Sequence, residues 1–224
     1  MALILHMHPL ASFCHKVLIA LYENETPFEA KIVDFGAPED RDSLTAMWPA
    51  GKIPVLQDKA RNRAIPETTI IIEYLEQHYP GKRPLLPKDE TERLNVRLWD
   101  RFYDQYVHQP MQRIVADRIR PQDVRDPYGV AEARETLKTA YGMIDKQAAS
   151  NRWAAGDAFT MADCAACPAL FYAGIIEPFG DAHPVTAAYF ERLYERNSVR
   201  RVLEEAKPYF GMFPYRELMP QRFA

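Results

Sequence analysis

The chain is poor in cysteine, with Cys14, Cys164 and Cys167 its only three in 224 residues. An odd count does not make a disulfide framework. Cys164 and Cys167 have no visible second pair to complete a four-ligand zinc site, so no metal is expected. Nor is there an excess of one charge: 28 Lys and Arg against 31 Asp and Glu leave a formal net charge of -3. That balance gives no reason to expect a nucleic-acid partner. No apolar run approaches the roughly 20 residues of a membrane span. The N-terminus shows neither the basic region nor the apolar core of a secretory leader. A cytoplasmic protein with no membrane partner is the expectation. Internal repeats and low-complexity tracts are also missing. What is present is ordinary for a soluble globular chain, 47% hydrophobic and 26% charged, and long enough for one or two domains.

The first eighty residues alternate in type. "LILHM" (3–7) predicts a short buried strand and "FCHKVLIALYE" (13–23) a helix, with Val17, Leu18 and Leu21 at helical spacing. "FEAKIVDF" (28–35) has period two and sets Phe28, Ala30 and Ile32 on one face. "PEDRDSLTAM" (38–47) predicts a short polar helix, and "PVLQD" (54–58) and "RAI" (63–65) two short strands. "ETTIIIEYLEQHY" (67–79) predicts a helix with Ile71, Tyr74, Leu75 and His78 on one face. The order β-α-β-α-β-β-α is that of a small mixed sheet covered by helices.

"PGKRPLLP" (80–87) holds three prolines and one glycine and reads as a linker. After it no strand signal persists. Leu94, Leu98, Phe102 and Tyr106 recur at i+4, with Trp99 and Tyr103 beside them. Helices are expected again over 130–149, 161–175 and 184–206. The expected organisation is an α+β two-domain chain: residues 1–80, a linker over 81–89, and an all-α domain of five or six helices over 90–224. The aromatic tail "PYFGMFPYRELMPQRF" (208–223) is expected to be irregular yet packed.

This order of domains resembles the cytosolic glutathione transferase family, in its bacterial Ser/Cys-site form. "WPAGKIPVL" (48–56) is similar to the family's approach to its cis-proline. "ETTIIIEYLEQHYP" (67–80) is similar to its acidic-hydroxyl pair opening a helix, and "FTMADC" (159–164) to the capping box of its second domain. "HPVTAAYFERLYERNSVRRVLEEA" (183–206) resembles its late helices. The likeness spans nearly the whole chain. It implies a thioredoxin-like first domain that binds glutathione as co-substrate, and a helical second domain that lines the site of a small hydrophobic electrophile. It also implies a homodimer and a detoxifying conjugation.

Each motif also has its own chemistry. Read alone, Pro54 can simply open a strand; the resemblance places a cis bond at Ile53–Pro54, which would leave the Ile53 backbone free for a peptide ligand. Glu67 and Thr68 stand at a helix start, where free N–H groups attract a carboxylate and Glu67 can meet an ammonium; ordinary capping is the alternative. Lys52, and more loosely Arg41, would take glutathione's other carboxylate. Ser12 and Cys14 lie where a helix begins, and a thiol held at such an end ionises more readily. In many family members the active Ser or Cys lies three residues before the position of Cys14. Here that residue is Ala11, which makes Ser12 the candidate hydroxyl and Cys14 the rival. Tyr103, Tyr106, His108 and Met111 are the candidates for the electrophile pocket, with Tyr172, Phe210 and Phe213 as its cover and Asp100 as a residue reaching a second subunit. His15 is expected towards solvent or the domain interface. The function implied is activation of the glutathione thiol for attack on electrophiles. A Cys14-based oxidoreductase or peroxidase, an isomerase, a dehalogenase, and a non-catalytic binding protein marked by Ala11 stand beside it.

Overall fold

The computed structural model describes residues 2–223. Five consecutive buried residues make β1 (Leu3–Met7), the centre of a four-stranded sheet in the order β2-β1-β3-β4. Strand β2 (Glu29–Ile32) runs parallel to β1 across the crossover helix α1 (Ser12–Glu23). Strands β3 (Val55–Asp58) and β4 (Arg63–Pro66) follow helix α2 (Pro38–Met47) and pair antiparallel. Helix α3 (Thr68–His78) closes the layer, burying Ile71, Ile72, Tyr74 and Leu75. Asp58, fully buried at the end of β3, accepts hydrogen bonds of 2.7 Å from the hydroxyls of Tyr74 and Tyr79. The carboxyl is thereby held at about 2 despite its burial, and these bonds tie α3 to the sheet.

Beyond the proline-rich segment the described residues form six α-helices: α4 (Glu90–Phe102), α5 (Gln109–Ile119), α6 (Pro127–Ala148), α7 (Met161–Ile176), α8 (Pro184–Tyr194) and α9 (Asn197–Ala206). Every residue of α7 except Gly174 is buried, and it packs against both α1 and α4. The chain is thus a thioredoxin-like mixed sheet with its helices, joined to an all-helical domain. The tail forms two short 3₁₀ turns, and Phe210, Phe213, Tyr215 and Phe223 are buried.

Helices α4 and α5 are one continuous helical run in which Tyr103–His108 are wound as a π-helix. Pro110 is the local cause. It has no N–H to give to the carbonyl of Tyr106, and its ring crowds that carbonyl. The helix widens ahead of it, and the Gln109 N–H reaches back five residues to Asp104.

Two apolar rows lie largely outside the core. Strand β2 is exposed along its whole length, so the face of Ala30 and Ile32 does not meet the core. Period two identified the strand but not what lies against it. The i+4 row through α4 and the π-segment points mostly outward as well, with only Phe102 buried. Leu94, Leu98 and Tyr106 are 67%, 62% and 52% exposed, and the buried row is Asp100, Asp104 and His108.

Candidate active site

Helix α1 begins without a side-chain cap, since Ala11 occupies the N-cap position. Cys14 and His15 donate their N–H groups to the Ala11 carbonyl. Those of Ser12 and Phe13 have no backbone partner among the described residues. A first turn with free donors and the positive end of the helix dipole favours an anion in front of it.

That turn borders a cleft of about 590 Å³. Ser12 and Phe13 form one side, Lys52 and Ile53 another, and Met111, Gln112 and Val115 of α5 a third. Tyr172, Met212 and Phe213 close it from the late helices and the tail. The Tyr172 hydroxyl donates to the Leu10 carbonyl at 2.9 Å, which fixes the loop leading into α1.

Ser12 Oγ has two partners from the second domain, His108 Nε2 and Gln112 Nε2, the latter at 3.3 Å. His108 is fully buried, and its ring stacks on Phe13 with centroids 3.8 Å apart and planes 5° from parallel. Burial, with the Lys16 ammonium nearby, pulls its pKa down to about 3, so the ring is neutral at neutral pH. A neutral imidazole has one N–H. His108 Nδ1 has no partner, so a proton there would be a buried donor without an acceptor. On Nε2 the proton finds Ser12 Oγ. Gln112 donates to the same oxygen. With both lone pairs occupied, the hydroxyl proton of Ser12 is left for the cleft.

One helical turn below, the fully buried Lys16 makes a second bridge between the domains. Its Nζ lies 2.6 Å from Asp100 Oδ1 and 2.8 Å from Asp104 Oδ2, and donates to Thr69 Oγ1 at 3.0 Å. Thr69 donates to Asp100 at 2.6 Å, and Arg101 bonds Asp104 and Thr69. Ser12 and Lys16 on α1 therefore face His108 and Asp104 across the junction, and the first turn of α3 is tied to the same cluster. Sequence reasoning missed Lys16, Thr69, Asp104 and Gln112. One signal was available: Lys16 stands directly before the apolar run "VLIAL" (17–21) on one helix, where an inward-facing lysine needs a buried partner.

The sequence candidates separate. Ser12, Lys52, Ile53 and Met111 line the cleft together. The Ile53–Pro54 bond is cis, and the Ile53 backbone has no backbone partner among the described residues. Pro54 is buried behind it. Glu67 is exposed at the N-cap of α3 with φ +68°, a strained backbone for a side chain of its kind, and Thr68 is buried beside it. Arg41 is exposed on α2, outside the cleft. Cys14 is fully buried and burial pushes its thiol up to about 12, which leaves no nucleophile there. Tyr103 is buried in the helical core, 1% exposed, and Tyr106 faces outward, so neither lines the cleft. His108 stands behind Ser12 rather than in the electrophile pocket. Asp100 is buried against Lys16 and cannot reach another subunit. Phe210 packs on Phe171 away from the cleft. His15 is buried and held to the Pro9 carbonyl at 2.6 Å.

Residues 5–83 match the family model described as glutathione S-transferase, N-terminal domain, and residues 106–197 the model for its C-terminal domain. The chain is 27% identical over 191 residues to glutathione S-transferase GstB of Escherichia coli, covering 84% of this chain and 91% of that one. A crystal structure of a glutathione S-transferase from Methylobacillus flagellatus with glutathione bound shares the fold, with a TM-score of 0.82 at 22% identity over 89% of this chain and 98% of that one. Another from Methylobacterium radiotolerans, in complex with glutathione sulfonate, gives a TM-score of 0.76 at 26% identity over 89% and 93% of the two chains.

Proposed function

This chain belongs to the glutathione S-transferase family, and from that premise we propose that it binds glutathione in the cleft before α1 and holds the thiol as a thiolate for attack on small hydrophobic electrophiles. One observation carries the reading. Ser12 stands at a helix start with its oxygen already bonded to His108 and Gln112, so its proton is aimed at whatever occupies the cleft. A donor set in place before the anion forms needs no reorganisation at the moment of reaction. The free N–H groups of Ser12 and Phe13 and the helix dipole add to it. The thiol proton leaves to solvent; the sulfur then forms the new bond to carbon while the leaving group departs with its electron pair.

In this reading the Ile53 N–H and C=O pair with the peptide backbone of glutathione in the manner of an added strand. Lys52 meets its glycyl carboxylate, with Arg41 too distant to share that task. Glu67 and Thr68 at the start of α3 take the γ-glutamyl end, where the strained backbone of Glu67 serves ligand geometry. The apolar walls from α5 and the tail receive the electrophile. The exposed row of Leu94, Leu98 and Tyr106 is the face on which a second copy of the chain would pack, giving a homodimer. In this reading the place of action is the cytoplasm. Among the described residues no helix is long and apolar enough to cross a membrane.

The test is a glutathione titration near neutral pH that follows thiolate absorbance, with Ser12→Ala and Cys14→Ala beside the parent. A thiolate that forms on binding, is diminished in Ser12→Ala and persists in Cys14→Ala supports the reading. Glutathione that binds without ionising overturns it.

A further inference from the structure

The cleft is not closed on the side of Leu10 and Phe35. A second chamber of about 630 Å³ adjoins it and shares Leu10, Ala11, Phe35, Ile53 and Met212 as common wall. Ser12 borders only the first chamber, and His8 only the second. The second is apolar except at three side chains, His8, Asp34 and Tyr209. An acceptor molecule with its reacting carbon before Ser12 and a body longer than one ring has this chamber as its continuation.

The state of His8 follows from its bonds. The Leu10 N–H donates to His8 Nδ1 at 3.1 Å. A ring nitrogen that accepts carries a lone pair, so the proton of the neutral ring is on Nε2. Burial lowers the ring's pKa, against the smaller opposing pull of the Asp34 carboxylate, and keeps it neutral at neutral pH. The ring is braced edge-on against Tyr209, with centroids 5.0 Å apart at 74°. Nε2 has no hydrogen-bond partner among the described residues. His8 thus brings an N–H donor, braced by Tyr209, to the wall of a largely apolar chamber. Asp34, whose Oδ1 is taken by the Gly36 N–H at 2.7 Å, adds negative charge that disfavours an anionic end group.

From this we infer that the preferred electrophiles are elongated and carry a neutral hydrogen-bond acceptor, such as a ketone or amide oxygen, at the end remote from the reacting carbon, where His8 Nε2–H binds it. The inference rests on the thiolate reading for its chemistry and on the chamber for its binding. His8 transfers no proton. In the reaction the thiolate sulfur displaces a halide: the S–C bond forms, the carbon–halogen bond breaks, and the halide leaves with the electron pair.

The experiment uses a matched pair, 4-(bromomethyl)biphenyl and its 4′-acetyl derivative, with glutathione. One neutral hydrogen bond gives the acetyl compound an advantage of about fivefold in kcat/KM with the parent enzyme. His8→Phe keeps a ring against Tyr209 and removes the donor, so the advantage falls to about onefold. His8→Gln restores an N–H and part of the advantage, and Tyr209→Phe keeps it. Equal use of the two compounds by the parent, an advantage that survives His8→Phe, or one lost only in Tyr209→Phe overturns the inference. Calorimetric binding of the unreactive pair 4-methylbiphenyl and 4-acetyl-4′-methylbiphenyl separates this from the chemistry. If no conjugation occurs but the acetyl compound binds about fivefold tighter and His8→Phe removes the difference, the thiolate reading fails and the His8 site stands.

Discussion

Lys16→Met is the sharpest perturbation the fold offers. The ammonium lies 2.6 Å from Asp100 and 2.8 Å from Asp104 and is completely shielded from water. Deleting it leaves two carboxylates facing each other in the core. Removing one partner of a buried ion pair costs about 3–5 kcal/mol, because the survivor's charge stays buried. Arg101, still bonded to Asp104 and half exposed, offsets part of that, which puts the expectation at ~3 kcal/mol. For a chain of this size each kcal/mol moves the melting temperature by about 2–4 °C, so the variant should melt ~6–12 °C lower. The triple variant Lys16→Met, Asp100→Asn, Asp104→Asn removes all three charges. It should recover at least half of the loss, since whole pairs replaced by neutral groups are near neutral in stability. Thermal unfolding followed by circular dichroism reads both. A loss below about 1 kcal/mol in the single variant, or a triple variant no better than the single, would refute the account of this cluster as a mutually dependent set of charges.

Ser12→Ala should lower kcat by about 10²–10³-fold, the scale for losing one donor to a developing anion; steady-state kinetics at saturating glutathione reads this, and a drop below threefold contradicts the role given to its hydroxyl. Stability should be acid-labile through two buried rings. His15 and His108 sit at about 4 and about 3 when folded, against 6.5 when free. Between these values the unfolded chain binds protons that the folded chain does not. Their contribution is therefore complete above pH 6.5 and is lost as pH falls towards 4, at up to ~2.7 kcal/mol per pH unit for two protons. Urea melts of His108→Gln over this window should show about half the slope that the two rings supply, and an unchanged slope would rule the ring out. Thr160→Ala removes a hydroxyl bonded to Asp163 at the start of α7 and should cost ~1 kcal/mol of stability with kcat unaltered; a large loss of activity at unchanged melting temperature would contradict a purely structural role.

The strands and helices around β1 were legible because each carries a clear period and a clear stop. Ser12 could be placed at a helix start for the same reason, and Lys52 and Ile53 by their motif. What the pattern hid was polarity turned inside out. Through α4 and the π-segment two rows lie side by side at i+4 spacing: Leu94, Leu98, Phe102, Tyr106 and Asp100, Asp104, His108. A rule that sends apolar residues inward picks the first row. The protein buries the second, and of the first only Phe102, because Lys16 and Ser12 on α1 pair with the second. Such a choice depends on a partner some ninety residues away, and no local window contains it. The inward aim of His108 is set further by the π-segment ahead of Pro110, where ideal helical spacing no longer describes which side chains align. Cys14 misled for a simpler reason: it shares the first turn of α1 with Ser12 and Phe13, which line the cleft, but its own side chain is shut in the core.

The hydrogen bonds on Ser12 span 96 and 100 residues of chain. During synthesis the ribosome releases Ser12 long before His108 and Gln112 exist, and the tail residues Met212 and Phe213 that wall the cleft come later still. A nascent first domain can collapse around its own sheet, since its strand pairings are all within residues 3–66. Its serine hydroxyl, however, has no fixed direction until the helical domain docks. On the proposed reading the site is therefore complete only once the helical domain and residues 212–213 have joined it, and a product truncated before them would lack the part that orients Ser12.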